Sequence, residues 1–202
     1  GVYKPKGAGD VVTGRVEQGE VVIESVNKKN VIFLPTHTAG TPCTGKIFRI
    51  EMHHKEHEKA FPGDNVGMQI KGLQKAAMPH TGDVMIYADD KTLGICSEFT
   101  AAVSVQNHPG ELKVGYCPIA FVRTGHCAVR MTAIKSAKPK GQKECVPEPH
   151  SIKAGASAVV SFKPDGRFVV DSYNCEGLGR VAIMEGNSVV MLGRVNDVQF
   201  KE

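Results

Sequence analysis

The sequence contains no tryptophan, and aromatic residues fill only 6% of its 202 positions. No apolar run approaches the roughly 18 residues that a membrane-crossing helix needs, and GVYKPKGAGD at the start has no apolar core of the signal-peptide kind. The six cysteines (Cys43, Cys96, Cys117, Cys127, Cys145, Cys175) form no C-x-x-C pair and no zinc-type spacing. Reduced thiols in a cytoplasmic protein are therefore expected rather than a disulfide framework. Charge of one sign is also scarce: a net +4 with 23% charged residues gives mild attraction to anions and does not by itself signal nucleic-acid binding. No amphipathic helical periodicity stands out, which argues against bundles and α/β folds. A monomer without a membrane partner is expected.

What is present is alternation. Val11–Glu17, Val21–Val26, Val31–Leu34, Ile47–His53, Val66–Ile70 and Asp83–Tyr87 read as strands separated by Gly, Pro, Asn and Asp turns. The polar turn Asn27–Asn30 and the Thr/Gly/Pro loop Thr36–Gly45 punctuate this half. After a polar break at Asp89-Asp90-Lys91 the style continues: Phe99–Val105, a long hairpin from Tyr116–Arg123 to Cys127–Lys135, a second hairpin from Ala156–Phe162 to Arg167–Ser172, then Val181–Met184 and Ser188–Val195. Short strands spaced by roughly 8–12 residues predict an all-β fold, two antiparallel β-barrels in tandem. We divide the chain into residues 1–92 and 93–202.

Chemistry concentrates in Arg49–Gly67, RIEMHHKEHEKAFPGDNVG. Strict alternation puts Phe48, Ile50 and Met52 on one face and Arg49, Glu51 and His53 on the other. Lys55–Ala60 reads as a charged loop, and Pro62-Gly63-Asp64-Asn65 as a turn. If the flanking strands are neighbours, Glu51, His53 and Asn65 gather at one rim. Blander roles stay open: Glu51 pairing with Arg49, and Asn65 capping its turn. Two patterns imitate enzyme motifs. Gly40–Lys46 matches the phosphate loop G-x-x-x-x-G-K, yet Ile47 stands where a metal-holding hydroxyl belongs, and a strand follows. His53-His54-Lys55-Glu56-His57 matches the H-x-x-E-H of a metal-dependent hydrolase, which needs a helix to align both imidazoles. Lys135, Lys138, Lys140 and Lys143 make either a solvated loop or a phosphate contact.

Several blocks resemble translation elongation factors of the Tu and eukaryotic one-alpha group. Gly14–Gly19 (GRVEQG), Glu51–His54 (EMHH) and Pro62–Gly67 (PGDNVG) are similar to their second domain. Asn107–Gly110, Gly115–Pro118 and Gly177–Arg180 are similar to their third. Phe33–Thr38, Thr44–Lys46 and Gly186–Gly193 resemble the divergent branch called elongation factor-like proteins. The resemblance implies two barrels that follow a GTP-binding domain. No true phosphate loop, suitable D-x-x-G or N-K-x-D occurs here, so GTP and Mg²⁺ would belong to that other domain and this chain would not be an enzyme itself. It further implies protein biosynthesis: binding of aminoacyl-tRNA and its delivery to the ribosome, with a guanine-nucleotide exchange factor as a possible partner beside the chain's own GTP-binding domain. A release or ribosome-rescue GTPase with a protein partner is the alternative within the same superfamily. By resemblance, Glu51, Met52, His53, His54, Gly63, Asp64 and Asn65 would hold the aminoacylated 3′ end, in residues 1–92. Glu176, Gly177 and Arg180 would touch the T-stem, in residues 93–202. The resemblance breaks at Met184, where relatives carry a basic residue, and at Glu20–Asn30, which lacks their Lys-x-Gly turn.

Overall fold

A computed structural model describes residues 1–3, 9–23, 30–35 and 41–201, most of them in strands. Two compact units divide the chain, Gly1–Leu93 and Gly94–Glu202.

The first unit contains β1 (Val2–Tyr3), β2 (Asp10–Arg15), β3 (Val21–Val22), β4 (Val31–Leu34), β5 (Cys43–Met52), β6 (Lys55–His57), β7 (Lys59–Ala60), β8 (Asn65–Lys71) and β9 (Val84–Tyr87). An antiparallel sheet runs β1-β2-β8-β5-β4-β9 with β6 added beside β5, while β3 pairs with β7. Alternation along β8 buries Val66, Met68 and Ile70, and these meet Val12, Val31, Phe33, Ile47 and Ile50 in one apolar core.

Three expectations for this unit change. The ladder between β5 and β8 slips between Ile47 and Arg49. This β-bulge breaks the strict period of two: Ile47 and Ile50 are both buried, and Phe48 points outward with Arg49. Lys55–Ala60 is not a loop but the two short strands β6 and β7, paired with β5 and β3. The strand expected over Val21–Val26 is strand only at Val21–Val22, because residues 24–29 lie outside the described part, as does most of the polar turn at 27–30. Residues 36–40, which include the start of the phosphate-loop pattern and part of the elongation factor-like block, also lie outside it. From Cys43 onward that pattern is strand β5 rather than a helix N-terminus.

The second unit contains β10 (Cys96–Val105), β11 (Leu112–Lys113), β12 (Ile119–Val122), β13 (Gly125–Lys138), β14 (Val146–Pro147), β15 (Ser151–Ile152), β16 (Ser157–Pro164), β17 (Arg180–Glu185) and β18 (Ser188–Phe200). The antiparallel order β12-β17-β18-β10-β16-β13 returns to β12 through its pairing with β13, which closes a six-strand barrel. Closure leaves no free edge among these six strands. Inside it Phe99 and Phe162 stack with ring centroids 5.4 Å apart, and Phe168 lies 6.4 Å from Phe99.

The hairpin expected from Ala156–Phe162 to Arg167–Ser172 does not form. Strand β16 pairs instead with β10 and β13. Phe168, Val169 and Val170 are buried without joining a ladder, although Phe168 O accepts a hydrogen bond from Cys96 N at 2.8 Å. All six thiols are unpaired, and burial pushes Cys43 up to about 11 and Cys96 up to about 12, which makes both poor nucleophiles. Among the described residues no helix is long and apolar enough to cross a membrane.

Candidate nucleic-acid interface

Two turns and two strands shape the outward face of the first unit. Met52 pairs with Lys55, so the hairpin between β5 and β6 is closed by His53 and His54 alone. Both have positive φ, 51° and 62°, the arrangement of a two-residue turn that matches the strand twist. Their imidazoles are exposed. The H-x-x-E-H pattern is therefore spread over a turn and a strand, with His53 in the turn, Glu56 bonded to Arg49 at 3.4 Å and His57 opposite Ile50. It does not present two imidazoles from one helical face.

The second turn spans Phe61–Asp64. Pro62 and Gly63 are its central residues, and Gly63 takes φ +101°, a conformation that favours glycine. Asp64 N donates to Phe61 O at 3.0 Å, and Phe61 N donates to Asp64 Oδ2 at 2.8 Å. Asp64 thus stabilises its own turn. Gly63 N to Val16 O (2.8 Å) and Asp64 O from Val16 N (3.0 Å) staple the turn to the chain just after β2.

From this turn β8 carries Asn65, Gly67 and Gln69 outward. Across β5, Glu51 lies opposite Gly67; across β2, Thr13 lies opposite Gly67 and Arg15 opposite Asn65. Glu51 and Asn65 are diagonal neighbours on one face, a separation of roughly 7–8 Å in such a ladder. The same register places His53, just past the end of β5, at the Asn65 end of the sheet. Gly67 supplies the space between them: a Cβ there would meet only Val11 Cγ1 at 3.7 Å and Glu51 O at 3.8 Å. Arg49 is paired with Glu56 and not with Glu51, and the Glu51 carboxylate has no partner among the described residues. Asn65 is exposed with its amide likewise unused, so it does not cap its turn; Asp64 does. Met52 is half-buried beneath this face. Sequence reasoning missed Thr13, Arg15 and Gly67. Their signal was available in the alternation of β2 and β8, but the pairing of those strands was not.

In the second unit Glu176 and Arg180 are exposed and ion-paired, and Gly177 is buried. Arg180 Nη2 also reaches Tyr173 Oη at 3.4 Å, and the Arg194 guanidinium lies 4.5 Å from the Tyr173 ring centroid. Arg123, Lys138, Arg180 and Arg194 line a groove floored by small outward residues such as Ala102 and Ala182, and no carboxylate is among its lining. Met184 sits opposite Ile119 and beside Val189, in an apolar row.

A carboxylate ties two of the family-like blocks together. Glu185 Oε2 accepts from Tyr116 Oη at 2.9 Å and lies 3.2 Å from His108 Nε2. His108 Nδ1 meets Gly110 N at 3.1 Å and Gly110 O at 3.2 Å, and these contacts hold the ring with Nε2 facing Glu185. The Tyr116 and then the His108 bonds hold the Glu185 carboxyl below the usual carboxylate range, while burial first, and Glu185 second, push the Tyr116 phenol up. Because the folded-state value of Glu185 is depressed, its contribution to stability is present above the ordinary carboxylate range and fades as pH falls through the depressed value. Tyr116→Phe is expected to raise the Glu185 midpoint, read from its side-chain carbonyl carbon by NMR. An unmoved midpoint would refute the assigned bond.

Comparison with known proteins adds a family. A profile described as GTP-eEF1A C-terminal domain-like matches residues 98–196. Elongation factor 1-alpha from Desulfurococcus mucosus is 36% identical over 200 residues, covering 98% of this chain and 43% of its own length. The factor of the same name from Metallosphaera sedula is 38% identical with the same coverage. A solved structure of Sup35 complexed with GDP superposes with a TM-score of 0.81 at 16% identity, covering 98% of this chain and 46% of that one, which is a likeness of fold. The chain thus spans less than half the length of the curated relatives it matches. Across both of its units the chain is thus similar to elongation factor 1-alpha, and residues 98–196 match the GTP-eEF1A C-terminal domain-like family.

Proposed function

We propose that this chain is the two-domain C-terminal part of a translation elongation GTPase, working in the cytoplasm, and that it binds aminoacyl-tRNA for delivery to the ribosome. GTP and Mg²⁺ would be held by the rest of the parent protein, whose nucleotide state an exchange factor would reset. The observation that carries the reading is the outward face of β5 and β8, where the Glu51 carboxylate, without a partner among the described residues, and the Asn65 amide flank the gap at Gly67. Unstacked RNA ends are recognised by such groups, which bond ribose hydroxyls and base edges. We assign Glu51 to the terminal adenosine. Asn65 and His53, with Met52, His54 and the Gly63-Asp64 turn shaping the rim, flank the esterified amino acid and its amino group. An amide suits that task because it offers both an acceptor for the amine and a donor for the ester carbonyl. In the second unit Glu176, Gly177 and Arg180 border the T-stem contact. Arg180 there shares its charge with Glu176, so this contact reads shape more than it adds affinity.

The roles separate in one titration. An aminoacylated acceptor–T-stem minihelix and its deacylated form are compared by NMR at two salt concentrations. Glu51→Ala is expected to weaken both forms alike, because both carry the adenosine. Asn65→Ala is expected to remove the preference for the charged form, by about 10- to 100-fold if the lost bond is to a charged amine. Equal and steeply salt-dependent binding of both forms by the unaltered chain would leave only phosphate attraction and defeat the proposal.

A further inference from the structure

The bulge in β5 does more than correct a register. It places Phe48 and Arg49, consecutive residues, on the same outward side as Lys46. Lys46 in turn lies directly opposite Lys71 of β8. Like charges facing each other across a ladder oppose sheet formation, and Lys46 has no carboxylate to relieve it among the described residues. The nearby Glu56 is taken by Arg49. Phe48 remains 40% exposed although Lys71 Nζ lies 3.2 Å from its ring centroid and the Arg49 guanidinium carbon 5.8 Å from it. A single exposed ring is ordinary. The Lys71 ammonium covers one face of the ring, and the rest of the ring stands exposed beside the facing pair Lys46 and Lys71.

We infer that this bulge is a binding site for single-stranded RNA, with Phe48 as the stacking platform and Lys46 and Lys71 as the phosphate contacts. Bases of any sequence stack on an aromatic face, and flanking cations track the backbone. A bound phosphate would also neutralise the facing lysines, so occupancy removes the repulsion that the free protein carries. An acidic protein segment would satisfy the charges but has no use for the ring. The site lies on the same strand face as Glu51, three residues away along β5, or roughly 10 Å. It extends the reading above, in which RNA meets this face, by giving the strand behind the terminal nucleotide a place to lie.

A short single-stranded RNA, such as an oligouridylate hexamer, is the probe, because it carries no amino acid and does not test the end pocket. Phe48→Ala is expected to lower its affinity by about 5- to 100-fold, the range for losing one base stack. Lys46→Gln with Lys71→Gln is expected to flatten the logarithmic salt dependence by about 0.7 per cation removed. Both variants should retain the preference for charged over deacylated minihelix, which belongs to Asn65. Unchanged hexamer affinity in Phe48→Ala, or equal competition by polyglutamate at matched charge, would overturn the RNA site and leave the end pocket standing. Loss of the charged-end preference in the unaltered chain, with hexamer binding still dependent on Phe48, would do the reverse.

Discussion

Gly179→Ala is expected to lower the stability of the second unit by about 3–5 kcal/mol, at the top of the range for a single methyl group. A Cβ at this position would overlap Tyr173 Cα and stand 2.6 Å from both Ser172 O and Tyr173 N. All three are backbone atoms, so no side-chain rotation relieves the overlap. The backbone there is also fixed from several sides. Gly179 N donates to Cys175 O and Gly179 O accepts from Val195 N, each at 2.8 Å, while Tyr173 N donates to Val195 O at 2.9 Å. Moving Tyr173 away from the new methyl group therefore stretches the bonds that hold the 171–179 segment against β18. Gly186 provides the contrast. It is a turn residue at φ +56° with nothing within 4 Å of where a Cβ would stand, and asparagine tolerates that conformation. Gly186→Asn is accordingly expected to stay within about 1 kcal/mol of the original. Urea unfolding of the two variants side by side decides the matter. Similar midpoints would mean that the close approach at Gly179 is not what makes the residue necessary.

This segment is also where sequence reasoning lost its footing. Lys163-Pro164-Asp165-Gly166 carries every residue type of a hairpin turn, and Arg167–Ser172 looks like the returning strand. Turn chemistry can state that the chain reverses, but not what it pairs with afterwards. Strand β16 already has both neighbours, β10 and β13, because the barrel closes around it. The returning chain is left to pack Phe168, Val169 and Val170 into the core without a ladder of its own. Closure is a property of six strands together, and no local window contains it. The β5 bulge is a second case of the same kind. Ile47-Phe48-Arg49-Ile50 fits an alternating strand on paper, and only the partner residues Ile70 and Gln69 reveal that one residue is extra. The turns fared differently. Pro62-Gly63-Asp64 was legible because its hydrogen bonds, Asp64 to Phe61 above all, are made within four residues. For the candidate interface, Glu51 and Asn65 were visible as residue types near a strand end. Their companions Thr13 and Arg15 were not, because they arrive from a strand some fifty positions earlier, across a pairing that no periodicity reports.

The same closure sets the size of the other large effect. Phe162→Ala is expected to cost about 3–5 kcal/mol, the range for deleting a buried aromatic ring. Phe162 is fully buried, pairs across the ladders with Phe99 and Met131, and stacks on the Phe99 ring. How much a cavity costs depends on how far its walls can move inward. An open sheet can flex toward the gap, whereas each strand of this ring is hydrogen-bonded to two others, so inward movement of β10 or β13 would pull on bonds around the barrel. Little relaxation is therefore available, and the cost falls toward the upper part of the range. Phe162→Leu, which keeps much of the volume, is expected to lose less than half as much. Amide hydrogen exchange along β10 and β16 reads the loss directly, since slow exchange there reports opening of the unit's core. Protection should fall by about two to three and a half orders of magnitude in Phe162→Ala. If alanine and leucine proved equally mild, the barrel would have collapsed onto the gap, and ring closure would not be what keeps its walls in place.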